Sequence, residues 1–141
     1  MAILLDSNIF ISFANRRDRG HERARTLLDK VRKGEFGVPY TSDYVFDEAV
    51  TTALARTGRL DIAVKVGKII LGSEEDSIPS FIKLVRVDEK IFAKAWTNFK
   101  ARRFRGLSFT DHTSLALLEE MRVDSILSFD KGFDGLAARI S

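Results

Sequence analysis

The chain opens on an apolar run, Ala2 to Leu5, that stops abruptly at Asp6, and a second run, Ser125 to Phe129, stops in the same way at Asp130. Short apolar runs of this kind predict buried strands, and two more fall at Phe36 to Tyr40 and Leu84 to Val87. Between them, apolar residues recur at three- and four-residue steps, the spacing of a helix with one buried face. In His21 to Lys33 that face is Ala24, Leu27, Leu28 and Val31; Asp43 to Arg56, Asp61 to Leu71, Glu89 to Arg103 and Asp111 to Met121 follow the same pattern. Gly34, Gly58, Gly72 and Gly106 are the expected helix stops. Leu136 to Ser141 is expected to add a short edge strand. Strands alternating with helices predict an α/β fold with a mainly parallel sheet, and the length fits one domain over 1–141.

Composition narrows the chemistry. Of the 141 residues, 45% are hydrophobic and 30% charged, which suits a packed globular chain rather than a disordered one. The absence of cysteine excludes disulfides, thiolate nucleophiles and Cys-based zinc sites, and fits a reducing cytosol. Asp6 interrupts the first apolar run before a signal-peptide core could form, and no stretch reaches the length of a membrane span. The net charge is only +3, but arginines cluster as Arg16, Arg17 and Arg19 and again as Arg102, Arg103 and Arg105. The acidic run Glu74 to Asp76 lies in GSEEDSIPS, a loop by composition, and reads as solvated charge.

In an open parallel sheet, ligands bind outside the carboxyl ends of the strands, near the point where strand order reverses. Asp6 and Asp130 each follow a strand directly. Asp111 follows Thr110, the expected N-cap, and shares a helical stripe with Leu115 and Leu118, so it should point inward. On the helix from Asp43, Asp47 and Glu48 flank the apolar face on opposite sides, and helix geometry does not choose between them. Singly, each acid has an ordinary explanation as a cap or a solvated charge. Together they would repel: two unit charges about 4 Å apart cost roughly 4 kcal/mol at an effective dielectric near 20, so a cluster must take up protons or a cation. An all-oxygen donor set favours Mg²⁺ or Mn²⁺, and beside a basic surface that points to phosphodiester chemistry.

These residues resemble a known family. LLDSNIF is similar to the opening motif of PIN-domain nucleases, and with TSDYVFDEAV, LSFTDHTSLAL and ILSFDKGFD in order, the chain most resembles the VapC-type toxin ribonucleases. The resemblance implies a three-layer α/β/α sandwich whose first and fourth strands are neighbours, which would bring Asp6 beside Asp130. It also implies Mg²⁺- or Mn²⁺-dependent endonucleolytic cleavage of RNA, a homodimer, a cognate antitoxin that covers the active site, and a cytoplasmic location. Carried over by position, Asp6 and Asp111 are core metal ligands, Glu48 rather than Asp47 is the second acid, and Asp130 is the fourth, with Asp134 as a competitor. Ser7 and Asn8 match the polar residues that brace the first turn, and Ser128 the hydroxyl residue before the fourth acid.

Other residues carry weaker signals. Both arginine clusters are candidates to rim the site and contact the RNA backbone, and Phe104 either stacks on a base or anchors the loop. His21 and His112 are expected in surface roles, and Trp96 in the core or a dimer interface. Asp130 to Gly135 mimics the start of a calcium loop, but its twelfth position is Ser141 rather than Glu. Two further functions fit parts of the pattern: an aspartyl-phosphate phosphotransfer enzyme using Asp6 as nucleophile, and a PIN-like binding module without catalysis.

Overall fold

Successive residues of a strand point to opposite faces, and β1 (Ala2–Leu5) is buried on both. Ile3 and Leu5 enter the larger hydrophobic cluster, packed with residues of α1 (Ser7–Ala14), α2 (His21–Arg32), α3 (Asp43–Thr57) and α4 (Leu60–Leu71). Leu4 enters a smaller cluster on the other face, with Leu118, Val123, Ile126 and Phe133. That second face is covered by α5 (Glu89–Lys100) and α6 (Phe109–Glu120). The computed structural model, which describes residues 1–141, is thus the expected α/β/α sandwich. None of its helices is long and apolar enough to cross a membrane.

The remaining strands are β2 (Val38–Ser42), β3 (Lys83–Val85), β4 (Ser125–Leu127) and β5 (Ala138–Ile140). Their order is β3-β2-β1-β4-β5, and every pairing is parallel. The chain winds outward from β1 to β3, then returns to place β4 on the other side of β1. Strand order therefore reverses between β1 and β4, and the crevice at their carboxyl ends is where an α/β sheet of this kind holds ligands.

Several boundaries differ from expectation for identifiable reasons. The helix α1 has no polar face to reveal its period: Ile9, Phe10 and Ile11 are buried, and so are Ser7, Ser12 and Ala14. β2 runs two residues further than its apolar run because Thr41 and Ser42 are satisfied inside the fold. The Thr41 hydroxyl donates to Leu5 O at 2.9 Å, and the Ser42 hydroxyl accepts from Val45 N at 3.0 Å, capping α3. α5 ends at Lys100 rather than Arg103, with Arg102 in the left-handed region (φ 49°), so Gly106 lies in the following loop and stops no helix. Gly58 does end α3, with φ 64°.

Trp96 is not a core residue. With Phe92 and Phe99 it forms an exposed aromatic strip along α5, the three being 44%, 47% and 39% exposed in chain order. The strip continues through Phe109 to Tyr44.

Candidate functional site

β1 ends by turning directly into α1, and Asp6 sits at that junction, only 3% exposed. Its N–H donates to Leu127 O of β4 at 3.0 Å, which fastens it to the neighbouring strand. One carboxylate oxygen, Oδ1, accepts from Ser7 N at 2.8 Å. The other, Oδ2, accepts from the Ser128 hydroxyl at 2.6 Å and from Asn8 Nδ2 at 3.2 Å. Asn8 also spans the two strand ends, its Oδ1 accepting from Phe129 N at 3.0 Å. Ser7, Asn8 and Ser128 therefore brace the Asp6 carboxylate.

Asp111 and Glu48 reach the same point from α6 and α3. Donor atoms of Asp6, Glu48 and Asp111 all lie within 4.8 Å of one another. Glu48, and not Asp47, turns toward the crevice: its Oε2 accepts from the Ser7 hydroxyl at 2.8 Å, while Asp47 is exposed and accepts from Thr51. Asp111 points inward as its stripe predicts, but it is the third residue of α6 rather than the first. The N-cap is Ser108, not Thr110: the Ser108 hydroxyl accepts from Asp111 N at 3.1 Å and Ser108 N donates to Asp111 Oδ2 at 2.9 Å, a reciprocal capping box. The same hydroxyl lies 3.5 Å from Glu48 Oε1.

Asp130 is placed at the edge of this group. Its N–H donates to the Ser128 hydroxyl at 3.0 Å, and its Oδ1 accepts from Gly132 N at 2.8 Å, capping the short 3₁₀ turn Lys131–Phe133. Its carboxylate is outside the three whose oxygens converge. Asp134 is turned away and held by Arg139 Nε at 2.6 Å and Nη2 at 3.2 Å.

None of the converging carboxylates has a cationic partner in the chain. Burial pushes the Asp6 carboxyl up to about 7, and the Asp111 and Glu48 charges add to the rise against the Ser128 and Ser7 hydrogen bonds. Glu48 and Asp111 are also raised, first by burial, then by the Asp111 and Asp130 charges respectively. Three acids held together at this cost, with no ammonium or guanidinium in contact and only the charge of Arg56 drawing Glu48 down, are a donor set that fits a hard divalent cation.

The arginines lie on exposed loops. Arg16, Arg17 and Arg19 are exposed on the turn between α1 and α2, and Gly20 at the end of that turn packs so close to Phe129 that a Cβ would come within 3.2 Å of its ring. Arg102, Arg103 and Arg105 are exposed ahead of α6. Phe104 is partly buried against the smaller core cluster, with Arg103 over its ring, and anchors this loop. His112 is not a surface residue: it is 2% exposed, its Nδ1 is 2.7 Å from Ser108 O, and Phe99 and Phe104 pack against its ring. His21 is partly buried against Ser12 O.

Ser108 and Arg139 were not among the residues singled out by sequence. The first had a signal, since Ser108-Phe109-Thr110-Asp111 has the spacing of a capping box; the second had none.

Comparison with known proteins agrees with this fold. Over 134 residues the chain is 26% identical to a VapC ribonuclease of Archaeoglobus fulgidus, covering 94% of this chain and 80% of that protein. Among solved structures it is similar to the VapC20 toxin of Mycobacterium tuberculosis, described as cleaving the sarcin-ricin loop, with a TM-score of 0.77 at 23% identity over 94% of this chain and 92% of that one. It is also similar to FitAcB of Neisseria gonorrhoeae, with a TM-score of 0.63 at 17% identity over 99% and 96% of the two chains. The family model for the PIN domain matches residues 3–139, so nearly the whole fold and all four acids fall within the match, and the chain belongs to the PIN-domain family.

Proposed function

We propose that this protein is a metal-dependent endoribonuclease and the toxin of a VapBC-type toxin–antitoxin pair, working in the cytoplasm. The observation that carries the reading is the convergence of Asp6, Glu48 and Asp111 within 4.8 Å without a cation from the chain. The likeness to a VapC ribonuclease over most of both chains supports the choice of RNA as substrate. Asp6, Glu48 and Asp111 would hold Mg²⁺ or Mn²⁺, with Asp130 at the rim. A bound cation of this type supplies Lewis-acid charge to a phosphoryl oxygen and to the attacking water.

The chain's own residues do the rest. Ser128, Ser7 and Asn8 fix the Asp6 carboxylate, and Ser108 fixes Asp111 beside Glu48. The exposed arginines on the two flanking loops offer contacts to the RNA backbone, which position a strand without reading its sequence. Incubating the purified protein with total RNA is expected to give cleavage with Mn²⁺ or Mg²⁺ that chelation by EDTA abolishes. Equal cleavage in EDTA would remove the metal from the account.

The homodimer belongs to the same reading, and the exposed strip Phe92, Trp96 and Phe99 is the face we assign to it. Lys90 and Lys94 beside the strip are already paired with Glu119 and Glu120, and Lys100 lies over the Trp96 ring, which leaves an aromatic surface with one free cation at its end, suited to a second copy. Trp96→Glu is expected to weaken self-association by roughly 30-fold or more, in keeping with the loss of a central aromatic contact. Light scattering should then find the monomer mass where the parent gives twice that mass; an unchanged mass would assign the strip elsewhere. The cognate antitoxin is the other expected partner.

A further inference from the structure

Nothing in the acid cluster itself accounts for how β5, the last strand, is tied to it. Ser128 N donates to Ile140 O at 3.0 Å, and Arg139 Nη1 donates to Ser128 O at 3.0 Å. Both backbone groups of Ser128 are therefore held from β5. The Ser128 hydroxyl in turn donates to Asp6 Oδ2 at 2.6 Å and accepts from Asp130 N at 3.0 Å. Ser128 is fully buried and the Arg139 side chain is only 14% exposed, so neither contact is exchanged easily for water. The guanidinium uses Nε and Nη2 on Asp134, farther along the same loop.

We infer that Arg139 is a positioning residue for the acid cluster, acting through Ser128 to set the Asp6 carboxylate and the backbone of Asp130. One planar fork spans the carbonyl at the start of the Ser128–Asp134 loop and the carboxylate at its end, a geometry a lysine ammonium does not reproduce. The pairing also gives Asp134 a role: it fixes the orientation of Arg139 and is itself kept out of the crevice. The inference rests on the metal-site reading for its functional consequence, but its structural part does not.

The test compares the parent with Asp134→Asn/Arg139→Met, in which the pair is neutral as before and the Ser128 contact is lost, and uses Asp134→Asn, which keeps Arg139, as the control. Methionine keeps much of the apolar stem in place. Two quantities are read. Hydrogen exchange of the Asp130 amide in metal-free protein is expected to accelerate about tenfold in the double variant, as for loss of a hydrogen-bonded anchor. Mn²⁺ affinity is expected to fall about tenfold between parent and double variant, which carry the same net charge, the size of effect that orienting contacts have on metal sites. Asp134→Asn alone still accepts from Arg139 through its amide oxygen and keeps the Ser128 contact, so its Asp130 exchange should lie nearer the parent than the double variant.

Unchanged exchange at Asp130 in the double variant overturns the inference whether or not metal binds. Faster exchange with unaltered Mn²⁺ affinity also overturns it, since Arg139 would then stabilise the loop without positioning the acids. Absence of Mn²⁺ binding in the parent would instead refute the metal-site reading, and the exchange result would still decide what Arg139 holds.

Discussion

Asp6→Asn is expected to abolish RNA cleavage and at the same time make the metal-free protein more stable. Cleavage should fall by about 10³-fold or more, equivalent to roughly 4 kcal/mol at the barrier, because a central cation ligand becomes neutral. Stability moves the other way. The Asp6 carboxyl, ordinarily near 3.8, is raised to about 7 in the fold, so keeping it ionised above pH 7 costs on the order of 4 kcal/mol. Asparagine removes that cost and still accepts from Ser7 N through its oxygen. Its amide, however, would face both groups that now donate to Asp6 Oδ2, the Ser128 hydroxyl and Asn8 Nδ2. That clash leaves a net gain of roughly 1–3 kcal/mol, or about 5 °C in Tm at pH 8. Thermal unfolding of parent and variant alongside the RNA assay checks both halves. A variant that is both inactive and less stable would mean that the ionised carboxylate is not a strained group.

The second large effect concerns pH and divalent cations together. Below about pH 4 Asp6 is protonated in both folded and unfolded chains. As pH rises toward 7 the unfolded chain has released this proton while the folded chain keeps it, so stability falls with pH, and the full cost is present above about 7. Glu48 and Asp111, also raised, act in the same direction. The balance between Asp6→Asn and the parent should therefore shift by roughly 4 kcal/mol in the variant's favour from pH 4, where only the clash remains and the variant is the less stable, to pH 8, a comparison in which titrating groups away from the cluster cancel. A cation prefers the ionised cluster, so Mn²⁺ should raise the parent's Tm strongly at pH 8 and little at pH 5. At a hundred times its dissociation constant the gain is about 2.7 kcal/mol. A shift of equal size at pH 5 would place Mn²⁺ on groups other than these.

The sequence announced the parts of the site more clearly than their meeting. The abrupt ends of two apolar runs marked Asp6 and Asp130 as strand-end acids, and the helical stripe through Leu115 and Leu118 correctly turned Asp111 inward. Convergence depends on β1 and β4 being adjacent, a pairing of residues more than a hundred positions apart that local patterning does not encode; only the family resemblance supplied it. The choice between Asp47 and Glu48 likewise turned on Ser7 and Ser108, which come from other elements. α1 escaped notice because a helix buried all round loses the polar face that betrays its period. Ser108 and Thr110 both suited an N-cap by type, and the two-residue difference was decided by the reciprocal bond that only Asp111 at the third position can make.

That the acid cluster is a divalent-cation site is the claim on which the rest depends. Calorimetric titration of Mn²⁺ at pH 8 into the parent, Asp6→Asn and Asp111→Asn tests it most directly. Saturable binding by the parent, weakened by at least about a hundredfold (roughly 2.7 kcal/mol) in each variant, is the predicted result. Parent-like affinity in either variant would contradict it.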